Sequence, residues 1–156
     1  MSELSQGEIK KKALEFLREN RWAVLATSTK GGQPHAVTMN YYVDDDFTFY
    51  FISIAETKKL GNLRDNHKAA LVVGFGPSPI TIQGEGQVEI REENDKELFY
   101  KISGTYSPED FTKWPILRIA RGIFTTIIFK PIYLVWLNLD EEGHPETFSE
   151  QFHKII

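Results

Sequence analysis

Residues 47–63 read FTFYFISIAETKKLGNL. Phe47, Phe49 and Phe51 alternate with Thr48, Tyr50 and Ile52, the two-residue period of a β-strand rich in aromatic and β-branched side chains. Ser53 ends the strand, a short polar turn follows, and Thr57 stands where a hydroxyl can cap a helix running from Lys58 to Asn66. Lys58 and Lys59 fall in the first turn, where the helix dipole disfavours a positive charge by ~0.3–1 kcal/mol. Such a pair suits a solvated helix face. It also suits an anion, because free backbone N–H groups, a hydroxyl and two ammonium groups together outline a phosphate site.

Outward from this stretch, the chain reads as a series of hairpins. Towards the N-terminus, Glu8 to Glu19 has Ile9, Ala13, Phe16 and Leu17 at helical spacing, with Asn20 as a stop. Trp22 to Thr29 is a strand, Gly31-Gly32 a turn, and Pro34 to Val43 the returning strand. Asp44-Asp45-Asp46 is a second, solvated turn, which leads into Phe47 to Ser53. After the helix come strands over Ala69 to Gly74 and Ile80 to Ile90. Gly84 and Gly86 predict a bend or bulge in the second of these.

A helical insert occupies about residues 92–121: one helix over Glu92 to Lys101 and another within Pro108 to Arg121, limited by Pro115. Ile123 to Lys130 and Tyr133 to Leu139 predict two final strands broken by Pro131. In the acidic tail, Phe148, Phe152 and Ile155 suit a short packed helix. About six or seven hairpin-linked strands with helices between them predict a mainly β fold, an antiparallel barrel with peripheral helices.

The 156 residues suit a single domain over 1–156 with a substantial core. A net charge of −4 and no basic tail argue against a nucleic-acid partner. With no cysteine in the chain, disulfides, thiolate metal sites and a cysteine nucleophile are excluded. The opening MSELSQGEIKKK lacks the apolar core of a signal peptide, and no apolar run approaches ~20 residues, so a cytoplasmic protein that does not span a membrane is expected.

The common catalytic motifs are missing. His35, His67, His144 and His153 have no metal-ligand spacing, so no metal is expected, and there is no GxSxG, P-loop or dinucleotide glycine pattern. Arg118 and Arg121 share a predicted helix face, where a solvated edge is the simpler account. What remains is the phosphate-like turn, Ser53 to Lys59, among aromatic strands. A phosphate site beside a flat apolar surface describes a phosphorylated aromatic cofactor such as FMN. That cofactor needs an anion site at one end, an apolar slot for its ring, and backbone N–H and C=O groups along the ring edge.

Four blocks then carry a resemblance: VLATSTKGGQPHAV (24–37), FYFIS (49–53), TKKLGNLRDN (57–66) and ITIQGEGQVEI (80–90). In this order and spacing the chain resembles the pyridoxamine 5′-phosphate oxidase-like flavoproteins, whose fold is the FMN-binding split β-barrel. The resemblance implies that Lys58 and Lys59 hold the FMN phosphate, with the hydroxyls of Ser53 and Thr57 beside it. It implies that the backbone of Val37, Thr38, Met39 and Asn40 lies along the flavin ring. Met39 suits the neighbourhood of an aromatic ring through its polarizable thioether. Trp136 lies near a family position for a flavin-contacting tryptophan, and a core role in the last strand is the alternative.

The resemblance further implies a homodimer with two cofactor sites at the interface. Two departures bear on substrate. Val37 stands where the true oxidases carry a further phosphate-binding arginine, and the tail NLDEEGHPETFSEQFHKII lacks their Arg-x-His substrate segment. The expectation is therefore an FMN-dependent oxidoreductase of unknown small-molecule substrate, fed by NAD(P)H or another small donor, rather than a vitamin B6 oxidase. Tyr41 and Tyr42 are the candidates for a proton donor. The alternatives are a non-catalytic flavin-binding protein or electron carrier, and a split barrel binding deazaflavin F420 or another cofactor.

Overall fold

The computed structural model describes residues 4–54, 57–74, 76, 78–93, 95–103, 124–139 and 152–156. In chain order the elements are α1 (Gln6–Glu19), β1 (Trp22–Ser28), β2 (Pro34–Asn40), β3 (Tyr42–Val43), β4 (Phe49–Ile54) and α2 (Lys58–Asp65). They continue with β5 (Lys68–Val73), β6 (Ile80–Arg91), α3 (Lys96–Ser103), β7 (Phe124–Asn138) and β8 (Phe152–Lys154). The predicted helix over 108–121, with Arg118 and Arg121, lies outside the described residues, as do Phe148 and His144.

The strands form one antiparallel sheet in the order β2-β1-β5-β6-β7-β4-β3, with β8 added on β7. β2 and β3 stand at opposite ends of that path, yet only Tyr41 separates them in the chain. The sheet must therefore curl until its two ends meet, which is the expected antiparallel barrel. This corrects the reading of Pro34 to Val43 as one strand. Its first part pairs with β1 and its last with β4, so the chain changes partner at Tyr41. Tyr41 is buried at this seam, and its hydroxyl donates to the Leu17 carbonyl at the end of α1 across 2.6 Å.

The barrel interior follows from alternation. Leu25, Phe49, Phe51, Leu71, Ile82, Ile127 and Phe129 point inward and are fully buried; each such side chain contributes ~1.5–3 kcal/mol on leaving water. α1 lays Ile9, Ala13 and Leu17 against this core. Ser5 and Glu8 form a capping box at its start, and Asn20 ends it by donating to the Phe16 carbonyl. A second cluster forms outside β4 and β7, where Leu98, Phe99 and Ile102 of α3 cover Ile52 and Phe124.

Three further readings are corrected. The strand expected from Phe47 starts at Phe49, because Asp44 organises the turn before it. The Asp44 carboxylate accepts from the backbone N–H groups of Asp46 and Thr48, and its carbonyl accepts from Phe47. Phe47 is left buried with φ +61°, a conformation unusual for a residue with a side chain. The final two strands are one, because pairing with β6 continues on both sides of Pro131 through a bulge at Ile132. Gly86 faces this bulge, and a Cβ there would lie 2.3 Å from the Lys130 carbonyl oxygen. Phe152, expected in a helix, instead starts β8, which pairs with the half of β7 that β4 leaves free. Among the described residues no helix is long and apolar enough to cross a membrane.

Candidate functional site

β4 ends at the barrel mouth, and α2 crosses that mouth. Leu60 and Leu63 on its lower face are fully buried. Asn62, also buried, donates to the Thr27 hydroxyl of β1 across 3.1 Å, and Asn66 donates to the Ser28 hydroxyl across 2.9 Å. These two bonds fix the helix on the end of β1. They give Asn62 and Asn66 of the TKKLGNLRDN block a structural role that neither periodicity nor charge reveals.

The start of α2 differs from what the sequence suggests. Thr57 occupies the N-cap position, but its side chain makes no capping hydrogen bond among the described residues. Its hydroxyl lies 3.3 Å from that of Ser53 instead. No acidic residue stands in the first turn, in contrast to α1 with its full capping box. Lys58 is exposed and Lys59 half-buried, and among the described residues neither forms an ion pair. Burial lowers the Lys59 pKa, since desolvation penalises the ammonium form. The structure thus brings Ser53, Thr57, Lys58 and Lys59 together around a helix end with positive potential that the Thr57 side chain does not cap among the described residues.

The predicted ring-edge segment lies nearby, since β2 packs beside both α2 and β4. Val37, Thr38, Met39 and Asn40 pair with Leu25, Val24, Ala23 and Trp22. Thr38 is exposed, whereas Met39 belongs to the barrel core. Asn40 is buried, and its Oδ1 has no hydrogen-bond partner among the described residues. Trp136 is not brought to this group. It is buried at the opposite end of β7 from Thr125, the partner of Ser53, with Lys12 Nζ 6.0 Å from its ring centroid.

Of the two tyrosine candidates, Tyr41 does not present a free phenol. The Tyr41 hydroxyl is committed to Leu17, and burial raises its pKa. Tyr42 packs against Tyr50, with Lys101 over its other neighbourhood at 5.0 Å. His35 is half-buried opposite Thr27. Two open clefts flank the helix, of about 570 Å³ beside Arg64 and His67 and about 490 Å³ beside Thr27, Lys68 and Ile132. Ser53, Thr57, Lys58 and Lys59 line neither of these two clefts.

The comparisons with known proteins agree with this architecture. The family model described as pyridoxamine 5′-phosphate oxidase matches residues 9–118. General Stress Protein 26 from Bacillus anthracis str. Sterne superposes with a TM-score of 0.64 at 20% identity, covering 93% of this chain and 97% of that one. A pyridoxamine 5′-phosphate oxidase-related, FMN-binding protein from Nostoc punctiforme PCC 73102 gives 0.62 at 16%, covering 91% and 89%. The heme storage protein HutZ from Vibrio cholerae gives 0.59 at 12%, covering 79% and 89%. These structural likenesses show a shared fold. No curated protein matches the chain. With the family model spanning most of its length and its sheet curled into the expected barrel, the chain belongs to the pyridoxamine 5′-phosphate oxidase family.

Proposed function

We propose that this protein binds FMN and works as a flavin-dependent oxidoreductase on a small molecule, as a cytoplasmic homodimer. The observation that carries the reading is the start of α2. A helix whose N-cap side chain makes no capping bond among the described residues, with two lysines in its first turn and its N-cap hydroxyl turned towards another hydroxyl, suits an anion. FMN fits this donor set. Lys58, Lys59, Ser53 and Thr57 would hold its phosphate, and the backbone of Val37 to Asn40 would run along the ring edge. Bound FMN supplies hydride or electron transfer; the protein binds it, orients it and excludes water from one ring face.

Two features refine the assignment. Arg64, the only other cation of the TKKLGNLRDN block, is held by Glu92 at 2.7 Å, which leaves Lys58 and Lys59 as the charge available for a ligand. That suits one phosphate better than the long acidic tail of deazaflavin F420. A ring slot completed by a second copy suits this reading, and in that dimer Trp136 would serve the other copy's site.

The experiment is the visible absorption spectrum of the purified protein, with mass spectrometry of what it releases on denaturation. A flavin band with FMN released is the expected result. A colourless protein that also fails to take up added FMN overturns the reading.

One observation favours a second reading, a flavin carrier without its own turnover: the Tyr41 hydroxyl is bonded to the backbone rather than free for proton transfer. Oxidation of NADH or NADPH no faster than with free FMN would select it.

A further inference from the structure

We infer that the side-chain carbonyl of Asn40 accepts a hydrogen bond from the N3–H of the flavin ring; the inference rests on the FMN reading above. It begins with an unpaired group. Asn40 is 5% exposed, and its Oδ1 has no hydrogen-bond partner among the described residues. A buried acceptor left in that state costs free energy that a donor would recover. Its place in the sheet adds to this. β2 ends the sheet path and pairs with β1 on one side only, so its other edge carries backbone N–H and C=O groups with no strand paired to them. Asn40 is the last residue of that strand, directly before the crossing at Tyr41.

The order of residues along β2 selects the atom. His35 pairs with Thr27, which Asn62 of α2 holds, so β2 starts at the mouth where the lysine pair lies. Asn40 pairs with Trp22 at the far end of the strand. At ~3.3 Å per residue, β2 carries Asn40 ~17 Å from His35. An FMN whose phosphate sits at the mouth presents its ribityl hydroxyls first and its ring last. N3–H is the one N–H donor of the oxidised ring, on its pyrimidine edge. An acceptor at the far end of β2 therefore meets the ring, whereas a partner for the ribityl hydroxyls would stand nearer Val37.

The test is titration of apoprotein with FMN and with 3-methyl-FMN, in which a methyl group replaces the N3 hydrogen, read by quenching of flavin fluorescence. Wild type should bind FMN about tenfold more tightly than 3-methyl-FMN, the scale of one buried hydrogen bond. Asn40→Leu, similar in size but without an acceptor, should lose about tenfold for FMN and no longer separate the two flavins. Its apoprotein should melt no lower than wild type, because the change removes an unpaired buried atom. Thr126→Val is the control. Thr126 is equally buried and its hydroxyl is also unpartnered among the described residues, but it pairs with Ile52 on the face that α3 covers. Its loss should change neither flavin affinity.

An FMN affinity for Asn40→Leu within twofold of wild type overturns the inference. So does an Asn40→Leu variant that still separates the two flavins as wild type does, since another group then accepts from N3–H. A lower melting temperature with an unchanged flavin preference assigns Asn40 to the fold alone and overturns it too. Should circular dichroism show that Asn40→Leu fails to fold, wild type decides: equal affinity for FMN and 3-methyl-FMN overturns the inference in its place. Wild-type protein that binds neither flavin overturns the FMN reading itself, and this inference with it.

Discussion

Asn62 donates its side-chain amide to the Thr27 hydroxyl across 3.1 Å, with both residues buried. This contact joins the helix that carries the lysine pair to the strand that lies beside β2. Replacing Asn62 with Leu leaves the Thr27 hydroxyl buried without its partner, at a cost of about 1–3 kcal/mol. Urea denaturation should show that loss. The double variant Asn62→Leu with Thr27→Val should recover most of it, because removing both partners leaves no unsatisfied group. FMN binding should weaken in both, since each releases α2 from β1.

Replacing both Lys58 and Lys59 with Ala should weaken FMN by several kcal/mol, at ~1.5–3 for each charge-assisted bond. The fold should survive, because among the described residues neither lysine has an ion-pair partner. Isothermal titration with FMN is the measurement, and unchanged affinity would remove the phosphate assignment.

Lys59 alone should show a trade between stability and binding. Its folded pKa is lowered by burial, so below the ordinary lysine value the unfolded chain binds more protons at this site than the folded one. The sign follows from linkage: the penalty is fully present at neutral pH and fades as pH rises through the folded value to the unfolded one. Lys59→Met should therefore raise the apoprotein Tm at pH 7 by about 1–3 °C. The gain should shrink towards pH 10 and above. The same variant should bind FMN less tightly.

Gly86 and Gly61 should respond in opposite directions to alanine. A Cβ on Gly86 would meet the Lys130 carbonyl oxygen at 2.3 Å and Pro131 Cα at 2.8 Å. Backbone on a paired strand cannot easily give, so Gly86→Ala should destabilise by about 2–4 kcal/mol. Gly61 lies inside α2 with nothing within 4 Å of an added Cβ. Gly61→Ala should stabilise by about 0.5–1 kcal/mol. Thermal melts of the two variants check both.

Tyr41→Phe tests the seam. It removes the donor to the Leu17 carbonyl but keeps the ring against Phe49, 5.3 Å between centroids. A loss of about 1–2 kcal/mol is expected, with an unchanged urea m-value, because the compact state is retained.

Much of the fold was legible because alternation and turn residues act locally. The Gly31-Gly32 turn, the Asn20 stop and the bulge near Gly86 are all written in short windows. What failed was non-local. Nothing around Tyr41 signals that its two flanking segments pair with different strands. Pro131 reads as a break because a proline lacks a donor, yet a bulge opposite a glycine absorbs it. The candidate site shows the same division. Lys58 and Lys59 stand out by charge against the helix dipole. Asn62 and Thr27 matter through partners far away in sequence, and a Thr57 hydroxyl turned to Ser53 rather than to its own helix depends on where β4 ends.

β7 pairs with β6 along most of its length, with β4 over its first half and with β8 over its second. Without residues 124–138 the sheet path falls into two pieces, β2-β1-β5-β6 and β4-β3. On the ribosome, then, most of the chain has emerged before the strand that unites it. Until that moment β6 and β4 present open edges, the surfaces through which unfinished sheets recruit other chains. Closure also depends on pairings between residues distant in sequence, which slows the search. The site at the start of α2 is thus encoded early but assembled late, when β7 brings Thr125 beside Ser53.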